Sequence, residues 1–323
     1  MLHGVIGASF LSTYAHAGPN DFTPLSSTPT VNYAPAVDGV NGKSETFGGA
    51  ISNRALAGNA GALTLPVTGN LGAQIDAAFG SFDQRGFGNI AGHFFWRNPN
   101  QALFGIYSSY TAWDQWGGAY VGQVAAEGEY YVGRFTVQGI AGVEWGNHAS
   151  MTGVFTSTVP PTATPIFGGP GTPGVTTTTT LTSMFDVKTR FFDMVNFKYY
   201  FTDDTLGYIG HRYLGGKNAL ALGGEYAFPI RGALKVSAFL EGRVGESNVN
   251  GVWGGLKFYM DPKDKPLIAR HRQDDPNIWS TDTLFSIVNS LTTSGSSSSS
   301  QFCNSPATLQ SNGTCESFVG PPL

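Results

Sequence analysis

The sequence predicts an all-β protein: a closed, antiparallel, up-and-down transmembrane β-barrel of about twelve strands, followed by a C-terminal extension. Three observations predict it. Between Lys43 and Met260 the chain divides into runs of roughly ten residues separated by turn residues, and the runs alternate in polarity with period two. The polar face of these runs carries ionised side chains in mid-strand. Aromatic residues, among them Trp96, Trp113, Tyr130, Trp145, Tyr199 and Tyr226, gather at the ends of runs. A soluble β-sandwich also alternates, but it sends mid-strand charges outward into water. A membrane barrel inverts the arrangement, with lipid on the apolar face and a wet lumen on the charged one.

Composition narrows the class. The 323 residues are 41% hydrophobic and 13% aromatic, with 44 glycines, while charged residues make up only 12%. That charge content is about half the usual share. A disordered chain would be highly charged and poor in aromatics, and so many glycines would weaken long helices. Stretches of 18 apolar residues are absent, so the sequence predicts no transmembrane helix. A net charge of −4 without a basic block argues against nucleic acid as a partner.

Residues 1–17 hold an apolar stretch, Val5 to Tyr14, ending in Ala15-His16-Ala17. This predicts an export signal peptide whose basic beginning is missing, with His3 the nearest substitute. Residues 18–42, polar with several prolines and glycines, predict an extended lead-in. The barrel is predicted over 43–260, with strands at 43–53, 60–68, 71–80, 86–97, 102–114, 118–131, 135–146, 186–201, 206–214, 218–228, 232–244 and 249–260. Phe135 to Trp145 shows the pattern: Phe135, Val137, Ala141, Val143 and Trp145 on one face, Thr136, Gln138 and Glu144 on the other. Connections such as Gly69-Asn70, Asn98 to Gln101, Thr202 to Thr205 and Pro229-Ile230-Arg231 are short and rich in turn residues, as periplasmic turns are. The one long connection, Gly146 to Phe185, lacks Lys, Arg, Asp and Glu and includes the run Thr176–Thr180. It belongs at the external end, as a passive surface loop or as one folded into the pore.

After Met260 the pattern stops. Residues 261–323 are expected to form a solvated periplasmic tail: a segment of mixed charge with Lys263, Lys265, Arg270, His271 and Arg272, a short amphipathic helix over Thr281–Leu291, and a Ser-rich linker. Cys303 and Cys315, the only cysteines, predict a disulfide.

The lumen-lining candidates are Asp76, His93, Arg97, Glu127, Glu129, Glu144, Asp186, Lys188, Arg190, Lys198, Glu225, Glu241, Arg243 and Lys257. Charges of both signs in a wet lumen would select solutes without strong ion preference; the competing role is cross-strand salt bridging that fills a narrow barrel. His93 and His211 read as hydrogen-bonded lumen residues, not metal ligands, since neither has a second His two residues away. His148-Ala149-Ser150 has the spacing of a base and nucleophile, but strand parity turns both away from lipid, so no catalytic residue is assigned. Rim groups such as Asp83, Asp114 and Glu246 are ordinary on any barrel. Metals and cofactors are not expected.

The stretches GHFFWRNP (92–99), VAAEGEYYVGRFTVQGIAGVEWG (124–146), FDVKTRFFD (185–193), GHRYLGGKNALALGGEY (210–226) and GVWGGLKFYMDPKDKPLIARHRQDDP (251–276) resemble a group of porin-like outer-membrane barrels of Gram-negative bacteria. The resemblance spans about residues 43–280. It implies residence in the outer membrane with no established enzymatic role, and contact with outer-membrane lipid, lipopolysaccharide and the barrel-assembly machinery is expected. The expected function is passive passage of small polar solutes through a charged lumen. The alternatives are a closed structural or surface barrel and an outer-membrane lipid hydrolase.

Overall fold

The computed structural model describes residues 34–162, 171–228, 234–260, 264–304 and 307–316. The expected signal peptide, most of the lead-in, the Pro229-Ile230-Arg231 turn and Lys263 lie outside the described residues.

Twelve strands close the barrel: β1 (Asn41–Ile51), β2 (Arg54–Pro66), β3 (Leu71–Phe82), β4 (Arg85–Asn98), β5 (Ala102–Trp113), β6 (Ala119–Val132), β7 (Phe135–Gly146), β10 (Arg190–Thr202), β11 (Thr205–Leu214), β12 (Lys217–Ala227), β13 (Leu234–Gly245) and β14 (Gly251–Met260). Strands β8 (His148–Val159) and β9 (Gly174–Asp186) stand outside it. All barrel neighbours are antiparallel, and β1 zips onto β14 from Gly42↔Met260 to Ile51↔Gly251, so no edge is left to meet lipid. Gly255 makes this seam possible, because a Cβ there would collide with the backbone of Thr46.

Alternation sorts the side chains by face. Phe79, Ile106 and Leu240 are each more than 60% exposed on the outside, while Asp76, Glu144 and Arg243 are at most 2% exposed inside. This inversion is the lipid-facing architecture of an outer-membrane barrel, and the chain crosses the membrane in that form. Observed strands match the expected ones within a few residues, except that β2 starts at Arg54, not residue 60. Its Ala- and Gly-rich sequence hides the alternation. A two-residue turn, Ser52-Asn53 with φ 49° and 63°, launches it directly from β1.

The long connection after β7 forms a hairpin outside the barrel, β8 against β9. The C-terminal segment supplies the third strand of this cap. Strand β15 (Leu291–Phe302) pairs with β9 from Leu291↔Phe185 to Phe302↔Gly174. The Ser-rich stretch expected as a linker is therefore a strand, its backbone ladder completed by the Thr-rich edge of β9. Cys303 and Cys315 are disulfide-bonded beyond it, and Cys315 exchanges backbone hydrogen bonds with Gly171.

The tail reaches that cap through the barrel. This corrects the expectation of a solvated periplasmic tail: after β14 ends at the short-turn end, two helices, α1 (Leu267–Gln273) and α2 (Ser280–Asn289), fill the lumen, and the chain emerges at the long-loop end. Every residue from Ser280 to Val288 is buried. The physical reason lies in composition. The tail offers polar groups to a charged wall, and α2 adds an apolar face for the hydrophobic ring near the exit.

Candidate functional site

The lumen is the candidate site, and the tail is half of it. At the short-turn end, α1 is held by the β10–β11 turn: Leu267 N donates to Asp204 Oδ1 at 2.9 Å and Ile268 N to Asp203 O at 3.0 Å. His271 lies between the hydroxyls of Tyr200 and Tyr259, 3.0 Å from each. Arg272 donates to Phe135 O at 2.8 Å. Arg270 is 1% exposed, buried within the barrel.

Between the helices, Pro276 O accepts from Lys43 Nζ at 3.0 Å and from Gln74 Nε2 at 3.3 Å. Asp282, Ser286 and Asn289 then share one face of α2 at i, i+4 and i+7. Asp282 accepts from Arg212 Nε at 2.9 Å and from Arg243 Nη2. Ser286 Oγ donates to Glu144 Oε2 at 2.7 Å, and Asn289 Nδ2 to Leu214 O at 2.7 Å. Thr283 meets Thr111, hydroxyl to hydroxyl, at 2.5 Å. The opposite side of α2 is apolar: Leu284, Phe285, Ile287 and Val288 join a cluster with Trp253 and Ile51.

The wall carries its own charge network. His93 sits between two carboxylates, 3.1 Å from Asp76 Oδ2 and 2.7 Å from Glu127 Oε2. Glu129 accepts from Tyr131 at 2.6 Å and from Gln138 at 2.5 Å. Glu225 receives Lys257 at 2.9 Å, Ser237 at 2.6 Å and Tyr259 at 2.6 Å. Arg243 reaches Glu241 at 2.8 Å, and Arg190 approaches Glu144 at 3.7 Å from the rim. Lys198 is buried on the same wall, and the Arg97 guanidinium lies 4.7 Å over the Phe95 ring.

Two of the expected lumen residues fall elsewhere. Asp186 ends β9 in the external cap, and Lys188 stands in the bend after it with its side chain 72% exposed. The barrel strand begins at Arg190, so parity counted from residue 186 ran across a break between two sheets. His211 is also corrected: it points outward, sharing the lipid side of β11 with Ile209. His148 and Ser150 lie exposed in β8 of the cap, outside the lumen. Sequence reasoning missed Arg212, inward on β11, and Lys43 and Glu45 at the start of β1. Reading His211 as a lumen residue turns Arg212 toward lipid by parity, so the two misplacements on β11 are one. The tail partners Asp282 and His271 carry no signal in strand periodicity.

Two small cavities remain beside the tail. One, about 60 Å³, is lined by Glu45, Lys198, Glu225, Lys257 and Asp282 among others; the second, lined in part by Lys43, Glu129 and Lys198, is about 10 Å³. At 10–15 Å³ per water the first holds on the order of four to six waters and the second about one. Both are water-sized gaps beside the tail within the lumen.

Among solved structures the chain is similar to an outer-membrane channel from Pseudomonas putida F1, at 10% identity over 76% of this chain and 99% of that one, with a TM-score of 0.37. It is similar to an outer membrane protein of Acinetobacter baumannii at 9% identity, over 69% of this chain and 97% of that one, with a TM-score of 0.33. It also matches the siderophore receptor PirA from Pseudomonas aeruginosa at 11% identity over 64% of this chain, with a TM-score of 0.27; the match spans 43% of the receptor. No protein-family model and no curated protein matches the chain.

Proposed function

We propose that the protein is a gated outer-membrane channel, closed by its own C-terminal segment, that passes small polar solutes along its charged wall when residues 264–290 are displaced. One observation carries this reading. Behind the tail, the wall holds buried acidic and basic side chains at membrane depth, including Asp76, Glu127, Lys198, Glu225 and Arg243. Such groups are costly inside a membrane, and by default they mark a path that water or solute follows. In barrels of this architecture the long loops face outward, so the end that carries the β8–β9 hairpin is the external one, and on this reading the tail enters from the periplasm and leaves at the cell surface.

A second reading is a closed barrel that carries its C-terminal segment to the surface and displays it. It is favoured by the anchoring of the tail at both ends, in the Asp203–Asp204 turn and in the β15–β9 ladder. Conductance in planar bilayers separates the two. The full chain is expected to stay mostly closed, and a chain ended after Met260 to give steady current steps with little preference between cations and anions. A shortened chain that inserts but carries no current would establish the closed barrel instead.

A further inference from the structure

Between the rims, the acidic and basic side chains of the wall are sorted by arc. On β3 to β7, five neighbouring strands, the buried ones are Asp76, Glu127, Glu129 and Glu144, with His93 between the first two and Arg97 as the one guanidinium. On β10 to β14 and on β1, which closes the ring, the buried ones are Lys43, Lys198, Arg212, Lys235 and Arg243, against Glu225 alone. Partly buried groups on this second arc add one cation, Lys257, and two carboxylates, Glu45 and Glu241. One side of the lumen thus has four carboxylates to one guanidinium, and the other has six cations to three carboxylates. In the ring of strands β5, at the centre of the first arc, stands opposite β13 of the second.

The tail is sorted the same way. Its carboxylate Asp282 lies against Arg212 and Arg243, and the carbonyl of Pro276 against Lys43, all on the second arc. Its donors turn to β7 on the first: Ser286 Oγ to Glu144, and Arg272 to Phe135 O and Thr136 Oγ1. Each arc also keeps a group that the tail leaves unserved. Lys198 is 7% exposed, borders both cavities, and has no hydrogen-bond or salt-bridge partner among the described residues. On the first arc Glu127 Oε1 is buried and accepts no hydrogen bond.

We propose that the lumen favours small zwitterions, of which a free α-amino acid is the simplest, with the solute's carboxylate turned to the second arc and its ammonium to the first. The inference rests on the channel reading and names its solute class. With the tail displaced and the lumen wet, carboxyl, amine and guanidinium groups are ionised at neutral pH, and the two arcs set a field across the pore. A dipolar solute aligns with that field and finds a charged partner for each end in place of the water it sheds. A single ion gains at one arc what it loses at the other. An uncharged solute of the same size displaces water from the wall and offers only weaker hydrogen bonds in its place. The contacts are transient, because passage needs binding weak enough to release the solute. The seated tail, with a carboxylate on one arc and donors on the other, fills the lumen as such a solute would.

The test compares two isomers, alanine and lactamide, which share a molecular formula while only alanine is a zwitterion at neutral pH. Uptake of each radiolabelled solute into proteoliposomes is measured for the full-length chain and for full-length Asp282→Ala, which loosens the tail and leaves the wall as it is. After subtraction of uptake by protein-free liposomes, alanine is expected to enter about threefold faster than lactamide or more. Glu127→Gln with Glu129→Gln, added to Asp282→Ala, is expected to bring that ratio to about one and to tilt the current toward anions. A merely structural role of these two carboxylates would change the yield of folded barrel and not the ratio. Equal uptake of the two isomers overturns this proposal and leaves the channel standing. Uptake of neither by either chain overturns the channel reading and this proposal with it. An unchanged ratio in the folded carboxamide variant also overturns the proposal; if that variant does not fold, the isomer comparison in the other two chains decides alone.

Discussion

Asp282→Ala tests whether the tail is a latch. Asp282 and Glu241 together serve two buried guanidiniums: Arg212 and Arg243 side chains are 2% and 0% exposed. Removing Asp282 leaves both on Glu241, which is 2.8 Å from Arg243 but 3.7 Å from Arg212. Breaking a buried charge pair costs about 3–5 kcal/mol, and because Glu241 remains, the lower end applies, about 3 kcal/mol. At about 1.4 kcal/mol per tenfold, the balance between seated and displaced tail shifts roughly a hundredfold. The apolar seat opposes complete release. Leu284, Phe285, Ile287 and Val288 are all buried, and at about 1.5–3 kcal/mol each they outweigh the lost ion pair. The expected phenotype is therefore brief openings in planar bilayers, with an open fraction about a hundred times that of the wild-type chain, not a permanent pore. Asp282→Asn, which keeps an acceptor oxygen but loses the charge, should fall between the two. An Asp282→Ala open fraction within a factor of three of wild type, in a barrel that conducts once shortened after Met260, would refute the latch.

Other outcomes follow from the same contacts. Thr111→Cys combined with Thr283→Cys places two thiols where hydroxyls now meet at 2.5 Å; oxidation should suppress openings and reduction restore them, measured against the wild-type chain under the same reductant. His93→Ala leaves Asp76 and Glu127 buried without their shared partner, and should lower barrel stability by about 3 kcal/mol or more, read as a shift in the urea unfolding midpoint. Gly215 has φ +61°, and a Cβ there would press on Ser286 and Asn289 of α2. Gly215→Val should therefore both strain the β11–β12 turn, by about 1–3 kcal/mol, and raise the open fraction; an unchanged current record would separate that turn from the gate. Cys303→Ser removes a bridge across a separation of 12 residues, worth about 3 kcal/mol in the chain-entropy model. The loss should appear as faster proteolysis of the cap, with the barrel's unfolding midpoint unmoved.

The barrel was legible because lipid and water impose opposite demands on alternate residues, and period two records both. Phe135 to Trp145 declares its faces without any partner in view, and β3, β12 and β14 do the same. Where one face lacks bulk, as in the Ala- and Gly-rich β2, the record fades and the boundary slips. The site was half legible for a related reason. Wall charges such as Glu127, Glu225 and Arg243 follow from parity, but the partner that fills the lumen does not. A helix that must satisfy a charged wall presents Asp282, Ser286 and Asn289, residues that in a sequence look like a surface facing solvent. Its apolar side looks like that of any amphipathic helix. A Ser-rich stretch that would stay unstructured in water becomes β15 only because β9 offers it twelve backbone partners. The inversion that identifies the barrel therefore conceals its plug: inside such a lumen, polarity marks burial, and rules that equate polarity with exposure place the tail on the wrong side of the wall.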